Sequence, residues 1–307
     1  MQGNVHFLAL GMLLLDPVIG FMSVTPPSPG LRRTFLASGR RGWGAGDFTY
    51  AASEENKHPR IQLRMAVAAG KSKLIKAIKK PPGTIAIMAE IKRKDPGTPG
   101  LEFPIPSTGE LSQSLNTAKV QSIAVWIDEH EYGTSIDDLR SVAAAQQKFK
   151  GNFPGPAPVL MLSKAANADH IQAAASAGAS GVLLLASLGS DQLSTAIKSC
   201  TDSGLEAVVL CRDREQARGA LTAGAQVVAF DSKHLGIDET LALAECGAGA
   251  QILMAMGGIK TLDDAWRLRD AGFGCVVVGE ELMASIYGRC EMCVFVVQCV
   301  YMCVVRV

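Results

Sequence analysis

The sequence predicts a (β/α)8 barrel, an α/β fold, in a single domain behind an amino-terminal targeting leader. Three observations predict it. Eight short aliphatic and β-branched runs lie between residues 85 and 279. Segments with a polar first residue and a closing glycine separate several of them. The last six runs recur at roughly 20 to 25 residues, the length of one strand, one helix and their loops in a parallel sheet.

The eight runs are 85–91, 122–127, 158–163, 181–186, 207–211, 226–231, 251–257 and 274–279. Continuous apolar runs of this length read as strands buried on both faces. Helix signals stand between them. Ser135 opens one with an uncharged cap and two early acids, Asp137 and Asp138, which suit the positive end of the helix dipole. Leu139, Val142 and Ala143 then share one face. Asn167 opens a helix that stops at Gly178, Ser190 one that stops at Gly204, Asp213 one that stops at Gly224, and Thr261 one that stops at Gly272. An open doubly wound sheet is the alternative arrangement. No Gly-x-Gly-x-x-Gly follows the first run, so dinucleotide binding of that type has no support.

Composition excludes several classes. The chain has 307 residues, 48% of them hydrophobic, and 30 Lys+Arg against 29 Asp+Glu leave a formal charge of +1. A nucleic-acid-binding protein usually carries a basic excess, so no nucleic-acid partner is expected. A disordered chain is more polar and more highly charged. Of eight cysteines, Cys200, Cys211, Cys246 and Cys275 stand singly, whereas Cys290, Cys293, Cys299 and Cys303 crowd the last stretch. A disulfide framework spreads its cysteines through a shorter chain, so the folded part reads as a resident of a reducing compartment.

Residues 1–70 read as leader. The apolar run 7–22 is broken by Asp16 and Pro17 and suits a signal-peptide core rather than a stable membrane span. Residues 23–46 hold Ser, Thr, Pro and four Arg with no acid, the composition of a transit peptide. Together they read as a two-part plastid (chloroplast) address. The basic stretch 54–80 is partly helical in pattern and suits a cover for one end of the barrel. Residues 71–288 form the barrel. Residues 289–307 form a Cys-rich apolar tail whose β-branched content disfavours a helix. Cys290 and Cys293 have the spacing of a metal or redox pair, but no second pair accompanies them, so no metal is expected. The tail reads as a partner-facing strand or as a gene-model artefact.

Function in such a barrel sits at the carboxyl ends of the strands. That places Glu90, Lys92 and Lys94 after the first run, Asp128, Glu129 and His130 after the second, and Lys164 after the third. Arg212 and Asp213 follow the fifth, and Asp231, Lys233 and His234 the sixth. Glu90, Lys92, Lys164 and Asp231 are the catalytic candidates. Gly257 and Gly258 follow the seventh run, and Gly279 and Glu280 the eighth, ahead of a short helix from Glu281. Glycine turns before a helix amino end suit a phosphate, and these four are the phosphate-binding candidates.

Several of these segments resemble the indole-3-glycerol-phosphate synthase family, the tryptophan-pathway barrel. Residues 89–96, Ala-Glu-Ile-Lys-Arg-Lys-Asp-Pro, resemble its strand-one signature, Ala-Glu-Ile-Lys followed by Ser-Pro-Ser. Tyr132 to Leu139 resembles its Phe-x-Gly-Ser-x-x-x-Leu segment. Residues 158–160, 258–264 and 278–283 match the opening of strand three and the last two turns. The resemblance implies a lyase that closes a carboxyphenylamino deoxyribulose phosphate to an indole, with loss of carbon dioxide and water and without a cofactor. Such chemistry needs a positioned acid and base. Glu90 and Lys92 match the family pair on strand one.

Other family positions differ. The strand-three Lys falls at Leu162, the strand-five Glu at Leu210, and the strand-six Asn at Asp231. The Glu-Ser before the strand-seven glycine falls at Met256 and Gly257, and the phosphate-side Ser at Asp95. Leucine neither gives nor takes a proton, and each missing acid/base group removes roughly 10²–10⁴-fold of rate. The resemblance therefore implies a synthase-like barrel with reduced or lost activity, or a non-catalytic plastid scaffold or complex subunit of the same ancestry. A third option is another phosphate-binding barrel that uses Glu90, Lys92 and Asp231. Lys164 either reaches back over Leu162 or stays in the loop as a solvated lysine. Asp231 either serves the chemistry or forms a structural ion pair with Lys92 or Lys164 that fills the mouth. The partners implied are a small phosphorylated substrate, if the chain is active, and proteins of a plastid complex.

Overall fold

The computed structural model describes residues 73–98, 100–164 and 167–286. The leader (1–70) and the tail (289–307) lie outside them. Eight parallel strands close into a barrel in chain order. They are β1 (Ala86–Ile91), β2 (Ser122–Trp126), β3 (Val159–Leu162), β4 (Gly181–Leu185), β5 (Glu206–Cys211), β6 (Val227–Phe230), β7 (Ile252–Met256) and β8 (Cys275–Val278). β1 pairs with both β2 and β8, which closes the ring. Each strand falls inside its predicted run, save that β5 begins one residue early, at Glu206.

Ten α-helices accompany the strands among the described residues. α1 (Leu74–Ile78) precedes β1, α2 (Thr108–Thr117) follows it, and α3 (Ile136–Gln147) follows β2. α4 (Ala168–Ser176), α5 (Ser190–Asp202) and α6 (Arg214–Thr222) follow β3, β4 and β5 in turn. α7 (Ser232–Leu235) and α8 (Ile237–Ala242) follow β6, α9 (Leu262–Asp270) follows β7, and α10 (Glu280–Ile286) follows β8. None is long and apolar enough to cross a membrane.

The predicted caps form as side-chain chemistry dictates. Ser135 and Thr261 each build a reciprocal box, with Asp138 and Asp264 returning a bond to the cap backbone. Asn167 and Asp213 accept from His170 and Gln216 backbone N–H groups. Two starts differ from expectation. Ser190 is already helical and makes no cap bond; Gly189 precedes it with a positive φ that a side chain there would strain. The last short helix begins at Glu280 rather than Glu281.

Strand side chains alternate, so each strand feeds two cores. Ile87, Ala89, Ile123, Val125 and Val228 point outward and pack under the helices in one cluster. Met88, Ala124, Leu160, Leu183, Val208, Ala229, Met254 and Val277 fill the barrel interior in another. Each fully buried aliphatic side chain contributes roughly 1.5–3 kcal/mol. The interior is sealed at the amino ends of the strands by α1, whose Leu74, Ile75 and Ile78 belong to the inner cluster. The basic segment before β1 thus covers one barrel end over its described part. α1 has no cap of its own; Glu206 of β5 accepts from Leu74 N at 2.6 Å and Ile75 N at 3.1 Å.

Candidate active site at the carboxyl end of the barrel

The barrel mouth is built on the strand ends. On β1, alternation turns Glu90 inward with Met88, and Lys92 follows two residues on. Both are buried. Lys92 Nζ lies 3.2 Å from Glu90 Oε1 and 3.7 Å from Asp95 Oδ1. The chain beyond β1 doubles back through an antiparallel bridge between Lys94 and Glu102, and that turn carries Asp95 inward.

Asp95 is the hub of an ion-pair network. Lys233, at the start of α7, lays its stem beside Gly257 and bonds Asp95 Oδ2 at 2.6 Å and Glu280 Oε2 at 3.0 Å. The Thr98 hydroxyl bonds Glu280 at 3.1 Å. Burial alone pushes the Asp95 carboxyl up, but its bonds to Lys233 and the charge of Lys92 outweigh that and hold it well below the ordinary carboxylate range. The Lys233 ammonium is held above its ordinary value: burial opposes the charge, and Asp95 and Glu280 more than offset it. Three carboxylates therefore meet two ammonium groups, so both cations are engaged from within the chain and one negative charge is left over.

The other wall is aromatic. Trp126, the last residue of β2, donates its indole N–H to Glu90 Oε1 at 2.6 Å. Its ring stacks on Tyr132 with centroids 3.9 Å apart and planes 4° apart. Burial, and then the charges of Glu90 and Glu131, push the Tyr132 phenol up, so it stays neutral. Leu162, fully buried at the end of β3, pairs in register with Trp126 and faces inward; Leu210 packs against the same inner cluster from β5.

Of the four catalytic candidates, Glu90 and Lys92 are brought together. Lys164 is not: its side chain is 54% exposed, pairs with Glu131, and lies 5.8 Å from the Tyr132 ring centroid. Asp231 does not pair with Lys92 or Lys164. Its carboxylate takes Arg212 at 2.9 Å and caps α7 through His234 N. The reason is local: as the residue just before a helix it turns to the helix amino end, where Arg212 reaches it from β5's loop. The phosphate-binding candidates have close neighbours of their own. A Cβ at Gly258 would sit 2.9 Å from the Ser232 carbonyl, and one at Gly279 2.5 Å from Glu90 Oε2. At Gly258 the contact is with backbone and the φ is positive, so a side chain there is strained; at Gly279 the Glu90 side chain would have to shift to admit one. Glu280 places its carboxylate on Lys233 and Thr98 at the same turn.

Sequence reasoning missed Trp126, and it left Lys233 as one loop candidate among several. An aromatic closing a strand was the available signal for the first. Nothing local marks the second, because its partners are 138 and 47 residues away.

A closed parallel barrel with charged residues gathered at the carboxyl ends of its strands defines the class: a (β/α)8 barrel whose functional end is that mouth. Within that class, the chain belongs to the indole-3-glycerol phosphate synthase family, whose model matches residues 49–288. The match takes in part of the stretch read above as leader. The chain is 29% identical over 204 residues to indole-3-glycerol phosphate synthase of Nocardioides, covering 64% of this chain and 75% of that protein. It is 31% identical over 226 residues to the enzyme of that name from Mycobacteroides abscessus, covering 72% and 79%. Among solved structures it is similar in fold to the tryptophan synthase A-subunit of Pyrococcus furiosus. That likeness has a TM-score of 0.52 at 14% identity and covers 73% of this chain and 98% of that one.

Proposed function

We propose that this chain is an indole-3-glycerol-phosphate-synthase-type barrel, a carbon–carbon lyase by descent, in which ring closure is strongly reduced or lost. One observation carries the reading. Leu162 and Leu210 occupy inward places at the ends of β3 and β5, where the family resemblance puts a Lys and a Glu. Neither can move a proton. The mouth supports the same reading. Lys92, the remaining family cation, is engaged by Glu90 and Asp95. Asp95 and Glu280 present carboxylates where the substrate phosphate would lie, and like charges there oppose its binding.

The test is indole formation from the carboxyphenylamino deoxyribulose phosphate, with the Mycobacteroides abscessus relative assayed in parallel. Two missing acid/base groups set the expected rate at least about 10⁴-fold lower. Turnover within tenfold of the relative overturns the reading.

The internal ion pairs favour a second reading, a non-catalytic scaffold or subunit of a plastid assembly. The acid-poor, Ser- and Arg-containing composition of residues 23–46 supports the plastid address. A fluorescent fusion of the full chain tests the location: signal outside plastids refutes it.

A further inference from the structure

We propose that Trp126 is a built-in occupant of the mouth: its indole fills the slot that a free indole ring would take and keeps the site shut. The proposal rests on reading this mouth as the family's ring-closing site, and it concerns ring binding rather than turnover.

The contacts of Trp126 are those a binding site offers to such a ring. Alternation along β2 turns it into the barrel with Ala124, beside Leu162 of β3. One face lies flat on Tyr132. The indole N–H reaches a carboxylate, Glu90, over 2.6 Å. Stacking and one placed acceptor are the two features by which an apolar pocket selects a planar heteroaromatic. Here both are taken by a residue of the chain. The wall behind is fixed, since Tyr132 is buried under Lys164, which Glu131 holds. Trp126 itself is 9% exposed, so a ligand ring has no access while it stays in place.

Truncating any buried tryptophan opens a void, and apolar cavities of about 150 Å3 persist and take up benzene-sized ligands, so shape alone does not mark a slot. The placed acceptor and the flat Tyr132 face do, and they make the indole-over-indene preference the deciding readout. Glu90 would add selectivity: without Trp126 its Oε1 keeps Lys92 but loses an N–H donor, which an indole N–H restores and indene does not.

The experiment is titration of the full-chain W126A variant with indole and with indene, which has the same shape without the N–H, followed by calorimetry and thermal unfolding. W126A should bind indole at least tenfold tighter than wild type. Indene should bind it about tenfold or more weaker than indole, as expected for a hydrogen bond to a charged group. Should W126A not fold, W126L carries the test, because leucine keeps apolar contact but frees Glu90 and part of the Tyr132 face; indole then raises its Tm and indene does not. Equal response to both ligands, no response, or wild type binding indole as well as the variant overturns the proposal. No arm measures turnover, so the loss of ring closure stands or falls separately.

Discussion

Lys233 Nζ sits 2.6 Å from Asp95 Oδ2 and 2.8 Å from Asp95 Oδ1, so one salt bridge ties the loop after β6 to the loop after β1 across the barrel mouth. Asp95 is 4% exposed, and its folded pKa is held below the unfolded value of 3.8. The sign follows from linkage: a depressed carboxylate contributes stability that is present above its unfolded pKa and is lost as pH falls below it. Asp95→Asn should therefore be less stable than wild type at pH 7, by about 1–3 kcal/mol. The difference should shrink as pH is lowered from about 5 to 2. Urea unfolding at several pH values checks both; a pH-independent difference rules the linkage out.

Asp95→Ser also removes the negative charge that engages both lysines. Lys92 and Lys233 would then face a site with one acid fewer. Inorganic phosphate should stabilise this variant measurably and leave wild type unchanged, read as a Tm shift that grows with phosphate concentration and shrinks with added salt. Equal shifts in both proteins would show that Asp95 does not gate the anion.

The two candidate lysines should separate cleanly. Lys92 is buried between Glu90 and Asp95, so Lys92→Ala removes a buried cation and leaves Glu90 to the Trp126 N–H and Asp95 to Lys233; it should cost about 3–5 kcal/mol. Lys164 is an exposed partner of Glu131, and Lys164→Ala should cost less than about 1 kcal/mol. Denaturant unfolding of the two variants side by side makes the comparison.

That contrast shows where sequence was legible. The strands were, because a parallel barrel buries both strand faces and leaves uninterrupted runs such as Val-Leu-Leu-Leu in β4. Caps such as Ser135 and Thr261 were, because their bonds reach only three residues. Leu162 and Leu210 were picked out through the family motifs that surround them, and the barrel turns both toward its interior. The network was not. Asp95 meets Lys233 across 138 residues, and Asp231 turns to Arg212 because helix capping outcompetes the barrel interior. Glu90 and Lys92 were found through a motif, but the indole N–H that Glu90 accepts was invisible until β2 stood beside β1.

Glu206 should matter for stability although it lies at the barrel end opposite the mouth. Its carboxylate caps α1, and α1 seals the inner core with Leu74, Ile75 and Ile78. Glu206→Ala leaves two N–H groups at a helix amino end without this acceptor. The expected loss is about 1–2 kcal/mol, with no effect on ligand binding at the mouth. A Tm drop of roughly 2–8 °C would match that loss for a domain of this size.

Asp138 holds three segments together, and its removal should be felt in all of them. Its oxygens take both amino groups of Arg93 at 2.8 Å, the backbone N–H of Ser135 at 2.9 Å and the Thr108 hydroxyl at 3.1 Å. Arg93 follows β1, Ser135 caps α3 and Thr108 begins α2, so one carboxylate fixes the β1 loop against two helices. Burial pushes its pKa up, but Arg93 and the Ser135 N–H prevail and hold it below the ordinary value. Asp138→Ala should cost about 2–4 kcal/mol at pH 7, combining a lost cap with a broken two-pronged Arg pair. Asp138→Asn should cost less, since an amide oxygen still accepts from Ser135 or Arg93. Because the β1 loop carries Asp95 to the mouth, Asp138→Ala should also raise amide hydrogen exchange at residues 94–98 before the barrel strands unfold. Exchange that rises only with global unfolding would show that Asp95 and Lys233 hold the loop without help from Asp138.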